Sequence, residues 1–174
     1  MTDPVSAAAR SPGRFRSPGR PRARRHGGGT DAAACREYGA FIATWDDVRR
    51  LALSLPETSE TDAHGHSGLP AWKVKDKTFA WVRPLRQSDR DALGAAAPTG
   101  EILGARVEHE GAKLGLIESE PEVYFTIPHF NGFSAVLVRL EVINAAGLEE
   151  LIVGAWLARA PKKLAAAFLA SRED

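Results

Sequence analysis

A β-hairpin pattern constrains the fold of this chain more than any other sequence feature. Within residues 71–82, Trp72 and Val74 alternate with Lys73 and Lys75, which is the period of a strand with one buried face. Asp76-Lys77 is then expected to form the turn before a second apolar run. Because strands joined by so short a turn pair antiparallel, the segment predicts an antiparallel sheet, with Trp72 and Val74 buried and the lysines exposed.

Further periodic segments extend this hairpin into an α+β pattern. Thr44 and Asp47 have the spacing of a helix N-terminal capping box, and Asn131-Gly132 is a strong signal for a hairpin turn. The patterns predict helices at 44–55, 111–119, 148–159 and 162–170, strands within 71–82 and at 102–107, 122–127 and 133–140, and a long loop at 84–100. The order α-β-β-β-α-β-β-α predicts a two-layer α+β domain, in which helices cover one face of an antiparallel sheet of about five strands.

The first 40 residues differ in composition from the rest of the chain. They contain eight of the 23 Lys and Arg residues but only three acidic residues, so they carry a net charge of +5. A segment with so little apolar surface cannot offset the entropy of ordering, and we expect residues 1–40 to be a disordered tail beside a domain at 41–172. Residues 41–174 have a net charge of −4, which disfavours simple non-specific nucleic-acid binding by the domain.

Cysteine content limits the covalent chemistry of the chain, and hydropathy bears on whether it crosses a membrane. Cys35 is the only cysteine, so the chain can form neither an intramolecular disulfide nor a cysteine-based zinc site. No apolar run approaches the roughly 18–20 residues that a membrane-spanning helix needs. We therefore expect a cytoplasmic protein without a membrane partner.

Four segments, in this order, resemble the MmcQ/YjbR-like family over about residues 44–169. They are TWDDVRRLALSLPE at 44–57, PAWKVKDKTF at 70–79, VYFTIPHFNG at 123–132 and AWLARAPKKL at 155–164. The resemblance implies a bacterial-type, two-layer α+β domain with an antiparallel sheet. Members are commonly labelled DNA-binding because they are similar to winged or double-wing modules, and the family supplies no established catalytic residues.

Motifs for catalysis, metals and cofactors are incomplete in this sequence. His64 and His66 flank a glycine, but two neighbouring histidines do not complete a zinc site. His109 and Glu110 begin like a zincin motif, whose second histidine would fall at position 113, where the chain has Lys. No phosphate-binding loop or dinucleotide fingerprint occurs. We therefore expect no enzymatic activity, no bound metal and no cofactor.

The candidate functional residues are basic side chains and two histidines. Alternating lysines on the hairpin suit a basic wing that contacts phosphates, although they also suit a solvated strand face. The nucleic-acid-binding candidates are Lys73, Lys75, Lys77, Arg83, Lys162 and Lys163, and the candidate pocket residues are His64 and His129. The first hypothesis is a small non-enzymatic DNA-binding domain. The alternative is a protein-binding or chaperone-like adaptor, which would be dimeric and use an exposed apolar face.

Deletion of residues 1–40 is expected to leave the thermal midpoint of unfolding almost unchanged, because a disordered segment contributes no packing to the folded state. Differential scanning calorimetry of the full chain and of the shortened protein checks this. A loss of several degrees in the shortened protein would mean that the tail packs on the domain.

Overall fold

The computed structural model describes residues 42–62 and 68–172, so the predicted tail at 1–40 and His64 lie outside the described residues. The helices are α1 (Trp45–Leu53), α2 (Gln87–Leu93), α3 (Glu110–Ser119), α4 (Ala145–Arg159) and α5 (Lys162–Ala170). The strands are β1 (Thr58–Thr61), β2 (Ala71–Val74), β3 (Lys77–Val82), β4 (Ile102–Arg106), β5 (Tyr124–Phe125) and β6 (Ala135–Arg139).

The strands form one antiparallel sheet in the order β1-β2-β3-β4-β6-β5. This confirms the predicted α+β class, and β1 adds a sixth strand at the edge beside β2. The capping box that begins α1 also forms, because the Thr44 hydroxyl accepts from the Asp47 backbone N–H while Asp47 accepts from the Thr44 backbone N–H. Local sequence signals therefore determine the first helix and the pairing of the first hairpin, but the turn lies at Lys75-Asp76 rather than at Asp76-Lys77, with Lys75 at φ 52°.

One face of the sheet packs against α1, α3, α4 and α5 and forms the main core. Trp72 and Val74 point into this core, and they are 2% and 0% exposed. Lys73 is half-buried and Lys75 is exposed, which follows the alternation of side chains along a strand. Trp156 of α4 is fully buried and donates a hydrogen bond from Nε1 to the Pro56 carbonyl at 3.2 Å, so it joins the helical layer to the end of α1.

The opposite face of the sheet has its own apolar cluster under the connecting segments. Ala71, Trp81, Ile102 and Leu137 contribute from the strands. The segment at 84–100, expected to be a loop, instead contains α2, and Leu93 at its end packs on this cluster. Apolar periodicity does not predict so short a helix. The start of α2 is capped by the buried Asp89, whose carboxylate accepts from the Arg86 backbone N–H at 2.9 Å.

The Asn131-Gly132 segment turns the chain, but not as the predicted two-residue hairpin. The pairing of Tyr124 with Val138 leaves residues 126–134 as a longer connection between β5 and β6. Phe133 donates from its backbone N–H to the Phe130 carbonyl at 3.0 Å across the turn. Asn131 has φ −62° and ψ 130°, and Gly132 has φ 74°, which are the values of a type II turn with glycine in the left-handed region.

Replacement of Trp72 by alanine is expected to lower the free energy of unfolding by about 3–5 kcal/mol, because the enclosed indole is lost and a cavity remains. Urea denaturation monitored by circular dichroism measures this loss. Val142→Ala is the control, since Val142 is 47% exposed and its truncation should change the free energy by less than about 0.5 kcal/mol. Equal effects of the two substitutions would contradict the enclosed position of Trp72.

Candidate functional site

A buried lysine fixes the loop at 128–133 to α3. Lys113 is 1% exposed, and its ammonium donates to the carbonyl oxygens of Phe130 at 3.0 Å and Phe133 at 3.1 Å. It also donates to Glu110 Oε1 at 3.1 Å, and the same oxygen accepts from the Gly132 backbone N–H at 3.0 Å. An ammonium has three protons, and all three are used here. We call this set of contacts the Lys113 latch.

The latched loop places an aromatic ring beside an arginine at the end of β4. Phe133 is 52% exposed, and the Arg106 guanidinium lies 5.6 Å from its ring centroid. On its other side Arg106 lies 5.7 Å from the Trp81 ring centroid. Guanidinium groups are attracted to aromatic faces, so the two rings hold the Arg106 side chain at the end of the sheet.

A second arginine reaches the same place from the end of α4. Arg106 and Arg159 line one polar cavity of about 310 Å³. Glu108, Phe133 and Ser134 also line it. The Nε atoms of both arginines are buried and lack a hydrogen-bond partner. Within residues 42–62 and 68–172, neither guanidinium has a carboxylate at ion-pair distance. We call this cavity, with its two arginines, the arginine corner.

The electrostatics of the arginine corner favour an anion. Burial lowers the pKa of Arg106, and the positive charge of Arg159 lowers it further. The guanidinium nevertheless remains charged at neutral pH, because its ordinary pKa lies so far above 7. Two positive charges therefore share a partly dehydrated cavity, and although Glu108 also lines it, no described carboxylate lies at ion-pair distance from either arginine. Two guanidinium groups offer forked donors, which match the geometry of phosphate and carboxylate oxygens.

A larger groove adjoins the arginine corner between α3, α4 and α5. Its volume is about 960 Å³, and Arg106 and Glu108 line both it and the corner. Small and aliphatic side chains form most of its walls, and Tyr124 lies in its wall on β5. Burial raises the pKa of Tyr124 to about 12, and the negative charges of Glu120 and Glu150 contribute. We call this feature the helix groove.

The hairpin lysines lie at the same end of the sheet as the arginine corner. Ala80 of β3 pairs with Ala105 of β4, so the β2–β3 turn extends beyond the end of β4. Lys77 is exposed at this turn. Lys75 forms an ion pair with Glu57 at 2.6 Å, in which both side chains are 51% exposed. Such exposed pairs contribute little to stability, so Lys75 can exchange its partner for another anion.

The other predicted residues have different surroundings. Arg83 is largely buried, donates to the Pro84 carbonyl and forms an ion pair with Asp89 at 2.9 Å, which removes it from phosphate contact. Burial raises the pKa of Asp89, but hydrogen bonds from the Arg86 backbone and Arg83 outweigh this effect and lower the pKa overall. Lys162 and Lys163 are exposed at the start of α5, and Lys162 lines the helix groove.

His129 is exposed, and its ring packs edge-on against Phe130 with the centroids 5.5 Å apart. Among the described residues, no group of three or more His, Cys, Asp or Glu side chains could hold a metal ion. None of the described helices is long and apolar enough to cross a membrane.

The sequence analysis missed the three residues that define the site. Arg106 ends an apolar strand and Arg159 ends an apolar helix, and a charge in that position is the only local signal for either. In the sequence, Lys113 is distinguished only by its position, where a zincin motif would have histidine. Its carbonyl partners lie 17 and 20 residues further along the chain, so no local pattern identifies the latch.

Comparison with known proteins identifies the family. The family model described as YjbR matches residues 53–158. "Uncharacterized protein Rv2570" of Mycobacterium tuberculosis and "Uncharacterized protein Mb2600" of Mycobacterium bovis are each 53% identical over 133 residues, which cover 75% of this chain and 98% of theirs. The fold is similar to the crystal structure of Deinococcus radiodurans protein DR2400, described by the domain DUF419. That match has a TM-score of 0.52 and 23% identity, and it covers 70% of this chain and 82% of the other. The chain therefore belongs to the YjbR family, which confirms the resemblance seen in the sequence.

The Lys113 latch should make stability depend on acid pH through Glu110. Hydrogen bonds from Lys113 and the Gly132 backbone lower the pKa of Glu110 below its ordinary value of 4.5. A carboxylate whose folded pKa is lowered stabilises the fold above its unfolded pKa, and this contribution is lost as the pH falls through the folded pKa. Glu110→Gln should therefore be less stable than the wild type at neutral pH, and the difference should shrink below about pH 4.

Urea unfolding of both proteins across this pH range measures the effect. The matched control is Glu118→Gln, which removes an exposed carboxylate from the same helix. A difference between Glu110→Gln and wild type that stays constant down to strong acid would contradict the ionised hydrogen bond in the latch.

Proposed function

We propose that this YjbR-family domain is a non-enzymatic nucleic-acid-binding domain that contacts the phosphate backbone of DNA at one end of its sheet. The observation that carries the proposal is the arginine corner, where Arg106 and Arg159 share a cavity and their buried Nε atoms lack a hydrogen-bond partner. Two charges in this arrangement repel each other. A phosphate group that enters the cavity relieves this repulsion and supplies acceptors for the buried Nε atoms.

The surroundings of the arginine corner suit an extended backbone rather than a single ion. The β2–β3 hairpin projects past the end of β4 and carries exposed lysines on one side of the corner. The start of α5 carries two more on the other side, three residues after Arg159. The proposed contact residues are Lys73, Lys75, Lys77, Arg106, Arg159, Lys162 and Lys163. Lysines act as point charges, whereas the arginines add directional hydrogen bonds.

Binding through this end must rely on local charge. The net charge of residues 41–174 is −4, so the domain as a whole repels DNA at long range. Contacts with phosphates position a protein but carry no sequence information directly. We therefore expect weak binding with little sequence preference and a steep dependence on salt concentration.

The proposal assigns no catalytic residue. A general acid or base works best when its pKa lies near the pH of the reaction. Burial raises the pKa of Tyr124 to about 12, which keeps this hydroxyl neutral and makes it a hydrogen-bond donor.

DNA affinity of the full chain should fall with salt by roughly 0.9 log units per phosphate neutralised for each decade of salt, so the seven proposed contact residues give a total slope of about −6. The Arg106→Gln/Arg159→Gln double variant should reduce the slope by about 2, because each arginine neutralises one phosphate. Fluorescence anisotropy with a short labelled duplex measures both values. Arg90→Gln is the matched control, since Arg90 is exposed on α2 and lines neither the arginine corner nor the helix groove.

Residues 1–40 carry arginines of their own, so the same titration is repeated with the shortened protein. Binding by the full chain alone would assign the affinity to the tail and reject the arginine corner. An unchanged slope in the double variant would reject it as well. If neither protein binds at low salt, the adaptor hypothesis replaces the nucleic-acid one.

A further inference from the structure

Phe133 is an exposed aromatic residue whose backbone is fixed on both sides. It is 52% exposed, and its backbone N–H donates to the Phe130 carbonyl at 3.0 Å. Its own carbonyl accepts from the Lys113 ammonium at 3.1 Å and from the Ala135 backbone N–H at 2.8 Å. A residue held in this way loses little further conformational freedom when a ligand binds. The Lys113 latch therefore presents the Phe133 ring to solvent at a defined place.

The surroundings of Phe133 distinguish it from an ordinary surface hydrophobic residue. A single exposed apolar side chain is common on protein surfaces and by itself indicates nothing. Phe133, however, lines the arginine corner together with Arg106 and Arg159, whose buried Nε atoms lack a hydrogen-bond partner. Proteins that bind single-stranded nucleic acid combine the same two components, because cations follow the phosphate backbone while aromatic rings stack on the bases.

The contacts of the Phe133 ring favour stacking on one side only. The Arg106 guanidinium lies over the ring, 5.6 Å from its centroid. The Phe130 ring lies nearly perpendicular to it, at 83°, with the centroids 6.4 Å apart. An apolar wedge that enters a duplex must separate two stacked base pairs, so it uses both faces of its ring. Because Arg106 occupies one face of Phe133, the ring suits a platform for a single base.

Only an unpaired base can use such a platform along a strand. Within a duplex, each base is covered on both faces by its neighbours, whereas the bases of a single strand can turn outward and stack on an aromatic side chain. A duplex is also stiff over the length of a small domain, while a single strand can bend toward a concave site. The position of Phe133 in the wall of a cavity therefore favours a single strand.

The acidic residue in the arginine corner fits a nucleotide better than a simple anion. Glu108 is exposed and lines the same cavity as Arg106 and Arg159. Its carboxylate disfavours a phosphate on its own side, but it can accept a hydrogen bond from the amino group of a base. A nucleotide has a charged phosphate and a neutral base, so it can meet both kinds of charge in one cavity.

We propose that Phe133 stacks on an unpaired base and that the domain therefore prefers single-stranded to double-stranded DNA. The phosphate beside that base lies in the arginine corner. This inference rests on the proposed function, which supplies the phosphate contact, and it adds the class of nucleic acid that is bound. Stacking on a ring face is possible for every base, so the preference concerns strandedness and not sequence.

Fluorescence anisotropy of the full chain with three labelled ligands of equal length tests the preference. The ligands are a short single strand, the corresponding duplex and an abasic single strand, which keeps the phosphates but lacks the bases. We expect the single strand to bind at least about fivefold more tightly than either of the others. Equal affinity for the single strand and the abasic strand, or for the single strand and the duplex, would overturn the proposal.

Phe133→Ala should weaken single-strand binding at least about fivefold while duplex affinity stays unchanged. Phe133→Trp should retain the wild-type affinity, whereas Phe133→Leu, which keeps apolar bulk without a ring, should behave like Phe133→Ala. The matched control is Val142→Ala, since Val142 is 47% exposed and follows β6 at the end away from Phe133. Equal losses for single strand and duplex in Phe133→Ala would indicate a wedge and overturn the proposal, as would full affinity in Phe133→Leu.

The salt dependence shows whether Phe133 acts through its own ring or through Arg106. Stacking releases no counterions, so Phe133→Ala should keep the single-strand salt slope of the wild type. A smaller slope in this variant would mean that loss of the ring only displaces Arg106, and it would overturn the stacking contact.

The variants also separate this proposal from the phosphate contact on which it rests. If Arg106→Gln/Arg159→Gln lowers the salt slope but Phe133→Ala keeps single-strand affinity, the stacking proposal alone is rejected. An unchanged slope in the arginine double variant rejects the phosphate contact, whatever the effect of Phe133→Ala.

Discussion

The arrangement of this domain at the end of the sheet that carries the arginine corner depends on one buried ammonium group. Removal of Lys113 from water is costly, and three hydrogen bonds, two of them to loop carbonyls, offset that cost. These bonds fix the loop at 128–133, which in turn places Phe130 over the second apolar cluster and Phe133 beside Arg106. Without the latch, the two loop carbonyls would lack their partner, and Arg106 would lose one of its two rings.

The two covered faces of the sheet explain why charge collects at its ends. Helices bury one face and connecting segments bury the other, so the faces of the central strands present little polar surface. Arg106 and Arg159 end a strand and a helix, where the backbone leaves the core and long side chains can reach water. A hairpin tip and a helix start add further lysines at the same end.

Sequence reasoning recovered the features whose causes are local. The alternation around Trp72 and the Thr44 capping box each involve residues a few positions apart, and the structure confirms both. The same reasoning missed α2, because its cap depends on Asp89, which is buried only once the chain has folded. Asn131-Gly132 was correctly read as a turn, but the length of its connection is decided by the β5–β6 register.

The candidate site was harder to predict because its parts are distant in the chain. Arg106 and Arg159 are separated by a helix, a strand pair and most of α4, and only tertiary packing brings them together. Lys73 and Lys75 could be predicted as exposed basic residues, because they alternate with apolar residues along a strand. Arg83 directly follows β3 and is bound by Asp89, an interaction that no pattern along the strand indicates.

The short outer strands limit how this protein can associate with others. β1 has four residues and β5 has two, and these are the two edges of the sheet. Exposed strand edges can pair with a strand from another chain, and short edges offer few backbone groups for this pairing. Strand addition and edge-to-edge aggregation are therefore disfavoured. The more exposed recognition features of this domain are therefore its side chains, not its backbone.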